Sequence, residues 1–546
     1  MTPKDFETWS AQAAAWGAKY RDTLRDKPVR AQTSAGDIYH AVPPKPPETG
    51  VEMEQIFADF ERIIEPGMTH WQHPRFFAYF PANAAPVSVV AEYLVTAMAA
   101  QCMLWQTSPA ATELETRMME WLRDAVGLPS EFSGVIQDSA SSATLAAVLV
   151  MRERATDWAG NQKGLKANPQ LRIYCSDQVH TSIDRAIWVS GIGQDNLVKI
   201  PADPVTGALP PEALDEAIQA DLAAGFLPAG YIGSVGGTSI GGTDDLSATI
   251  KVAHAHGLFV HIDAAWAGSA MICPEFRTLW AGVEMADSIV FNPHKWLGAS
   301  FDCSAHLVRD PKVLVKTLAI QPEFLKTHGQ DGVIDYSEWS VPLGRRFRAL
   351  KLWFLLRFHG LEGLRTMIRN HVAWSQSLCE RLRAHPDFEI VTEPVLSLFS
   401  FRQKGASDAD TIALVEAINA DGRIYLTQTR TGGHIAIPAL TEAHTHLDKS
   451  LLGYPWYHND VGGGNLMAMI DNERQMKTRL GMDPHVQSMR HALKTAGYGA
   501  TLIRSHVDVD TTGGLRALEG DAAVRCVVIR GAGRAFMAGG DVRGFH

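Results

Sequence analysis

Two residues in the middle of the chain carry the chemistry. Asp263 closes the apolar run LFVHID, and Lys295 follows SIVFN in the turn NPHK. Each run has the length and apolar content of a buried strand, so a carboxylate and an amine emerge from strand ends in apolar surroundings. Taken alone, the two read equally well as a buried ion pair, because buried charges are seldom left without a partner or a task. Their neighbours favour a task. Ser139-Ala140-Ser141 opens the helix-like stretch ATLAAVL, whose first backbone N–H groups lack intrahelical partners and attract anions. His180 follows the strand RIYCS, and Thr238 ends the strand near SVGG. Together they offer an anion site, an aromatic stacker, a carboxylate and an amine.

Residues 130 to 310 supply the frame that such a site needs. Short apolar runs (GVIQ, RIYCS, YIGSVG, LFVHID, SIVFN) alternate with helix-like stretches (ATLAAVLVMRERA, TIKVAHAHG). That alternation implies βαβ units, hence an α/β fold with a mostly parallel sheet and helices on both faces. In such sheets ligands collect beyond the carboxyl ends of the strands, where Asp263 and Lys295 fall. Upstream, Phe6, Trp9, Ala13, Trp16 and Tyr20 recur at three- and four-residue steps, the mark of an amphipathic helix whose aromatic stripe must be covered. A partner subunit and the chain's own downstream residues are equal candidates for the cover. From about 42 to 82, Pro and aromatic residues favour extended backbone over regular helix. Thr112 and Glu115 then have capping-box spacing ahead of a helix through Leu114, Met118 and Leu122.

Composition narrows the class of function. At 546 residues with 46% apolar content, the chain is long enough for two or more cores. A formal charge of −10 without a long cationic stretch argues against nucleic acid or an anionic membrane as partner, and leaves a small molecule as the natural substrate. The opening MTPKDFETWSAQAAAWG has no secretory pattern, and no 18-residue uninterrupted apolar span occurs, so a soluble cytoplasmic protein is expected. The six cysteines, at 102, 175, 273, 303, 379 and 526, have neither disulfide-framework nor zinc-site spacing and read as reduced, mostly buried thiols.

The motifs FNPHKWLG, HIDAAWAGSAMICPEFR, SDQVHTS and VPLGRRFRALKLWF resemble those of the group II pyridoxal-phosphate (PLP)-dependent decarboxylases, specifically the aromatic-L-amino-acid branch. HPRFFAYFPA, SPAATELE and IQDSASSATLAA fit the same family, and the likeness runs from the first residues to about 430. It implies a PLP fold type I homodimer that releases CO2 from an aromatic L-amino acid to give the arylalkylamine. Residues 1–85 would form a helical and extended dimerisation segment, 86–360 the PLP-binding large domain and 361–430 a truncated small domain. Lys295 would hold PLP as a Schiff base, Asp263 would keep the pyridine nitrogen protonated, His180 would stack on one ring face and Ala265 would pack on the other. Ala140, Ser141, Asn292 and His294 match phosphate-holding positions, and Thr238 matches one close to the cofactor. Trp71, Phe76, Phe77, Tyr79, Phe80 and Pro81 match the wall of the substrate side-chain pocket, although rings of this kind also serve plain core or dimer packing. No metal ligand is implied. The preference among tryptophan, tyrosine, phenylalanine and dihydroxyphenylalanine is not legible, while the apolar wall disfavours glutamate.

Two departures from the family pattern complicate that reading. Where the family's decarboxylases usually place a loop tyrosine that protonates Cα, the segment QPEFLKTHGQDGVIDY carries Phe324. Phenylalanine has no acidic proton, and in related aldehyde synthases the same change accompanies decarboxylation coupled to oxidative deamination, with aldehyde, ammonia and hydrogen peroxide as products. His180, Tyr336 or water are the alternative donors that would keep the product an amine. After IYLTQTRTGG the sequence changes character. Residues 431–519 resemble the opening part of a cytosine-deaminase-like amidohydrolase, with His444 and His446 at its metal-binding positions, and 520–546 resemble a crotonase segment around Ala538 to Gly540. Fewer than 100 residues cannot close an eight-stranded barrel of about 250. A fused or recombined reading frame is the expected origin of this tail, with a catalytically impaired chimeric chain as the reading of another class. HIAI keeps the alternation expected of a last decarboxylase strand.

Overall fold

The computed structural model describes residues 1–80, 82–166, 168–320 and 333–441. The chain divides into two compact units, Met1–His444 and Thr445–His546, and the second lies wholly outside the described residues.

The first unit is built on a seven-stranded sheet in the order β1-β7-β6-β5-β4-β2-β3. Its strands are β1 (Ser133–Gln137), β2 (Leu171–Ser176), β3 (Leu197–Ile200), β4 (Leu227–Ser234), β5 (Phe259–Asp263), β6 (Ser288–Phe291) and β7 (Ser304–Val308). All run parallel except β7, which is antiparallel to both its neighbours, β1 and β6. The β1, β2, β4, β5 and β6 strands are the apolar runs picked out in the sequence. Both faces are covered, and period-2 alternation sorts the side chains between them. Val135, Ile173, Cys175 and Ile232 pack with Ala146, Val150 and Met151 of the helix Ala140–Ala155. Their sequence neighbours Ile136, Tyr174 and Tyr231 face the other way, into a core with Met118 and Leu122 of the helix Pro109–Val126 and Leu352 and Leu355 of Arg348–Arg383. Such two-sided burial explains why the parallel strands read as nearly continuous apolar runs.

A second, four-stranded antiparallel sheet follows, in the order β10-β11-β9-β8. It comprises β8 (Phe388–Val395), β9 (Leu398–Gln403), β10 (Thr429–Thr431) and β11 (His434–Leu440), packed on the helix Asp408–Asp421. HIAI lies within β11, which pairs with β9 from Ile437↔Phe401 to Leu440↔Leu398. The small domain thus runs past residue 430, because this strand buries Ile435, Ala436 and Ile437 and lies inside the sheet between β10 and β9.

Two local expectations need correction. The 42–82 segment is not simply extended: Met53–Asp59 is helical and continues as a wider turn over Phe60–Ile64. The aromatic spacing there serves packing, since Phe57 meets Trp9 at 5.8 Å and Phe60 meets Trp16 at 4.9 Å. The chain's own residues therefore cover part of the stripe on Pro3–Thr23, at the half-buried Trp9, Trp16 and Tyr20, while Phe6 and Ala13 stay exposed. Thr112 and Glu115 do not form a capping box, because Pro109 begins the helix directly after Ser108 and so places Thr112 inside it. Glu115 instead is buried, accepting from Ile136 N–H at 2.8 Å and pairing with Arg345 at 2.5 Å. Five cysteines (102, 175, 273, 303 and 379) are buried free thiols, and Cys526 is outside the described residues.

Candidate active site

The parallel strands point their carboxyl ends to one edge, and the sequence-selected residues meet there. Asp263 ends β5 beside Ser234 of β4 on one side and Val290 of β6 on the other. β6 then turns through Asn292, whose carbonyl accepts from Lys295 N–H at 2.9 Å and so directs the lysine back toward the same edge. These ends open into a cavity of about 760 Å³. Lys295, Asp263, His180, Ala140, Ser141, Thr238, Ala265 and Asn292 all line it, together with Phe77, Tyr79 and Phe80.

Each group is held by a local device. The Asp263 carboxylate accepts from Ala265 N–H at 3.0 Å, which fixes its rotamer. Ser139 caps the helix Ala140–Ala155 by accepting from Ser142 N–H at 3.2 Å, so the first-turn amides of Ala140 and Ser141 stay directed at the cavity. Asn292 is buried, and its side-chain oxygen accepts from the Ser304 hydroxyl. His180 Nδ1 accepts from Ser182 N–H at 3.1 Å, which leaves the proton of a neutral ring on Nε2. Burial lowers the pKa of His180, the negative charge of Asp263 opposes that shift, and the positive charge of Lys295 adds to it. Those two charges place the imidazole in the field of both groups. Gly236 adopts φ +73° in the turn after β4, where a Cβ would lie 2.5 Å from the Ala267 methyl group, so only glycine lets this turn line the cavity.

Some expected residues stand elsewhere. Thr238 lies in the loop after β4, which ends at Ser234. His294 is buried but does not line the cavity. Its Nδ1 accepts from Cys303 N–H at 2.9 Å, and burial, reinforced by the Lys295 charge, pulls its pKa down to about 3. Trp71 and Phe76 stand behind the wall, with Trp71 stacked on Phe76 at 4.8 Å and on Tyr79 at 5.8 Å. Tyr336 is buried, hydrogen-bonded to Thr116 at 2.9 Å, and away from the cavity. Pro81 and Phe324 fall outside the described residues, as do His444, His446 and the 538–540 region.

The structure adds Asn83, Arg30 and Tyr425, which sequence reasoning passed over, and gives the expected Phe80 its neighbours. Asn83 donates from Nδ2 to the Lys295 carbonyl at 2.7 Å and from its backbone to the His294 carbonyl at 2.6 Å. Phe80 places its ring 5.0 Å from Lys295 Nζ and packs on Trp266, which in turn stacks on Trp296 at 5.1 Å. Arg30 and Tyr425 also line the cavity. A lone Asn or Arg in a Pro-rich stretch gives no periodic signal, so spacing could not have found them.

Comparison with known proteins bears on what this arrangement does. The pyridoxal-dependent decarboxylase conserved domain matches residues 36–404. The chain belongs to this family. It is 39% identical to the aromatic-L-amino-acid decarboxylase of Mus musculus over 485 residues, spanning 86% of this chain and 99% of the relative. It is 38% identical to a phenylacetaldehyde synthase of Arabidopsis thaliana over 435 residues, spanning 77% of this chain and 88% of the relative. Among solved structures, Catharanthus roseus tryptophan decarboxylase in complex with L-tryptophan superposes with a TM-score of 0.77 at 33% identity, covering 82% of this chain and 95% of that one. The protein is accordingly a PLP-dependent carboxy-lyase of fold type I. The residues present fit the cofactor: an amine for its aldehyde, a carboxylate for its pyridine nitrogen, first-turn amides for its phosphate, and a cavity with an imidazole at its margin.

Proposed function

We propose that the protein decarboxylates an aromatic L-amino acid to the arylalkylamine and CO2. The observation that carries this reading is the shared cavity, in which Lys295 and Asp263 face a wall of Phe77, Tyr79 and Phe80. Its aromatic wall favours a flat apolar side chain, and the likeness to the mouse decarboxylase and the Catharanthus enzyme points the same way. PLP, when bound, supplies the electron sink that makes loss of the α-carboxylate feasible.

The protein's own groups divide the remaining work. Lys295 would hold the cofactor and yield it to the substrate amine, and Asp263 would keep the pyridine nitrogen protonated by charge. Ala140 and Ser141 would bind the phosphate through first-turn amides, with Asn292 and Thr238 beside them. His180 and Ala265 would enclose the ring, and Phe80 would keep water from the Lys295 amine. His294 would act by shaping the lysine turn from behind, and Trp71 by backing Tyr79.

A second reading, decarboxylation coupled to oxidation by dioxygen, is favoured by Phe324, where the family's decarboxylases usually carry tyrosine, and by the likeness to the Arabidopsis phenylacetaldehyde synthase. The test is product analysis on the full chain with PLP and each aromatic L-amino acid under air, quantifying CO2, amine, aldehyde and hydrogen peroxide. Amine without peroxide supports the first reading and implies that His180 or water protonates Cα. Aldehyde matched by peroxide supports the second, and absence of CO2 refutes both.

The assembly belongs to the proposal as well. Val89, Val90, Tyr93, Leu94 and Met98 on the helix Pro86–Met98 are exposed, which supports a homodimer in which a second copy covers them. The five buried free thiols support a reducing, cytoplasmic setting. No helix among the described residues is long and apolar enough to cross a membrane. We read the residues after β11 as a fused tail without an activity of its own.

A further inference from the structure

We infer that His371 is a positioning residue for the cofactor lysine: it accepts the indole N–H of Trp296, the residue after Lys295, and so holds the lysine turn from the helix Arg348–Arg383. This rests on the assignment of Lys295 above. The contact is closely defined. Trp296 Nε1 donates to His371 Nδ1 at 2.9 Å, and the two rings are parallel to within 4°, as a bond made in the plane of both requires. A neutral imidazole that accepts at Nδ1 carries its proton on Nε2. Trp296 is wholly buried and His371 is 4% exposed, so bulk water offers the indole no substitute acceptor.

The bond fixes more than one side chain. Trp296 stacks on Trp266 at 5.1 Å and 10°, Trp266 packs on Phe80 at 5.0 Å, and the Phe80 ring stands 5.0 Å from Lys295 Nζ. The lysine is thus gripped at both ends: residue 296 continues its backbone, and the column of rings that starts on residue 296 finishes at its amine. A rotation of the Trp296 indole would disturb both. Trp296 belongs to a large apolar core, but apolar contact is non-directional and leaves the angle of the ring loosely set, whereas a hydrogen bond weakens steeply when bent. His371 is well placed to set that angle. Leu364, Ile368 and Val372 of its helix lie in the same core, and the Trp374 ring one turn further on stands 5.5 Å from the imidazole.

The test uses the full chain and measures the PLP dissociation constant and the near-visible absorbance and circular dichroism of bound PLP. The variants are His371→Leu, which keeps bulk without an acceptor, and His371→Asn, whose side-chain oxygen stands near the place of Nδ1. His371→Leu should weaken PLP binding by about tenfold and diminish the dichroic band, while His371→Asn should stay within about threefold of the parent. Trp296→Phe removes the donor and strands nothing, so it carries the test if the leucine variant fails to fold. It should also lose about tenfold, and adding His371→Leu to it should cost nothing further. A leucine variant that is less stable in urea yet keeps the parent's PLP affinity and dichroism would reveal packing alone and overturn the inference. Equal losses in the leucine and asparagine variants, parent-like affinity in Trp296→Phe, or losses at 296 and 371 that add would overturn it too. A near-visible band retained in Lys295→Ala would overturn the assignment of Lys295, and this inference with it.

Discussion

Replacing Asp263 by Asn tests the charge logic of the site with little change in shape. The carboxylate is held by Ala265 N–H at 3.0 Å, and the amide oxygen of an asparagine can accept the same bond, so the rotamer survives while the charge is lost. The magnitude follows from position. Asp263 is half-buried at the end of β5, between β4 and β6, so its partnership with a protonated pyridine nitrogen is partly shielded from water. A hydrogen bond to a charged group is worth about 1.5–3 kcal/mol, and breaking a fully buried pair costs about 3–5 kcal/mol. A loss near 3 kcal/mol, or about a hundredfold in kcat/KM for CO2 release, is the expectation. Cofactor binding should persist, because Lys295 and the helix amides are untouched, and the near-visible absorbance band checks it. There is a second readout. The negative charge of Asp263 raises the His180 pKa against burial and Lys295, so removing it should move any acid limb due to His180 to lower pH. A variant with normal absorbance and activity within threefold of the parent would refute the assigned role.

Four further outcomes are expected. Phe324→Tyr should raise the ratio of amine to aldehyde in the product assay, and an unchanged ratio would show that residue 324 does not control protonation of Cα. The buried His306 has its pKa lowered by burial to about 4, below its value near 6.5 in an unfolded chain. The unfolded state therefore binds the proton first, and stability present above pH 6.5 is lost as pH falls toward 4, by about 3 kcal/mol from this residue; a urea midpoint unchanged between pH 7 and 4.5 would contradict it. Glu115→Gln should destabilise by about 3–5 kcal/mol, since it strands the buried Arg345 guanidinium, and a loss under 1 kcal/mol in urea titration would refute that estimate. The double change His444→Ala and His446→Ala should alter neither CO2 release nor metal content, and stoichiometric zinc or iron lost on mutation would restore the amidohydrolase reading.

Much of the site was legible because strand-end chemistry is written locally. LFVHID and SIVFN are buried on both faces, so their apolar runs are unbroken and the first polar residues after them mark the carboxyl edge of the sheet. Ser139 announced the helix start by its type, and the structure gives it the capping bond. The residues that escaped act across long separations. Arg30 and Tyr425 reach the cavity, and Asn83 reaches the backbone of the lysine turn, from segments that carry no helical or strand period toward them, and only tertiary packing assigns them. His294 misled in the opposite direction. It adjoins the lysine, but the turn that presents Lys295 to the cavity directs its neighbour into the Cys303 backbone. Thr112 and Glu115 matched a motif by spacing, yet a proline at the first helical position outweighed it.

The clasp between Asn83 and the Lys295 carbonyl also bears on how the lysine turn is held. The two residues are 212 apart in sequence, and the same short segment ties Ala85 N–H to the Gly298 carbonyl and Ser88 to Ser300. The loop it closes is of the same order as that closed by the β1–β7 pairing of the sheet itself, so the entropic costs of the two differ little. The cofactor lysine is thus held from two sides, by the sheet that delivers it and by an arm from the other end of the chain. Displacing that arm would loosen the lysine turn while leaving the strands that carry Asp263 in place.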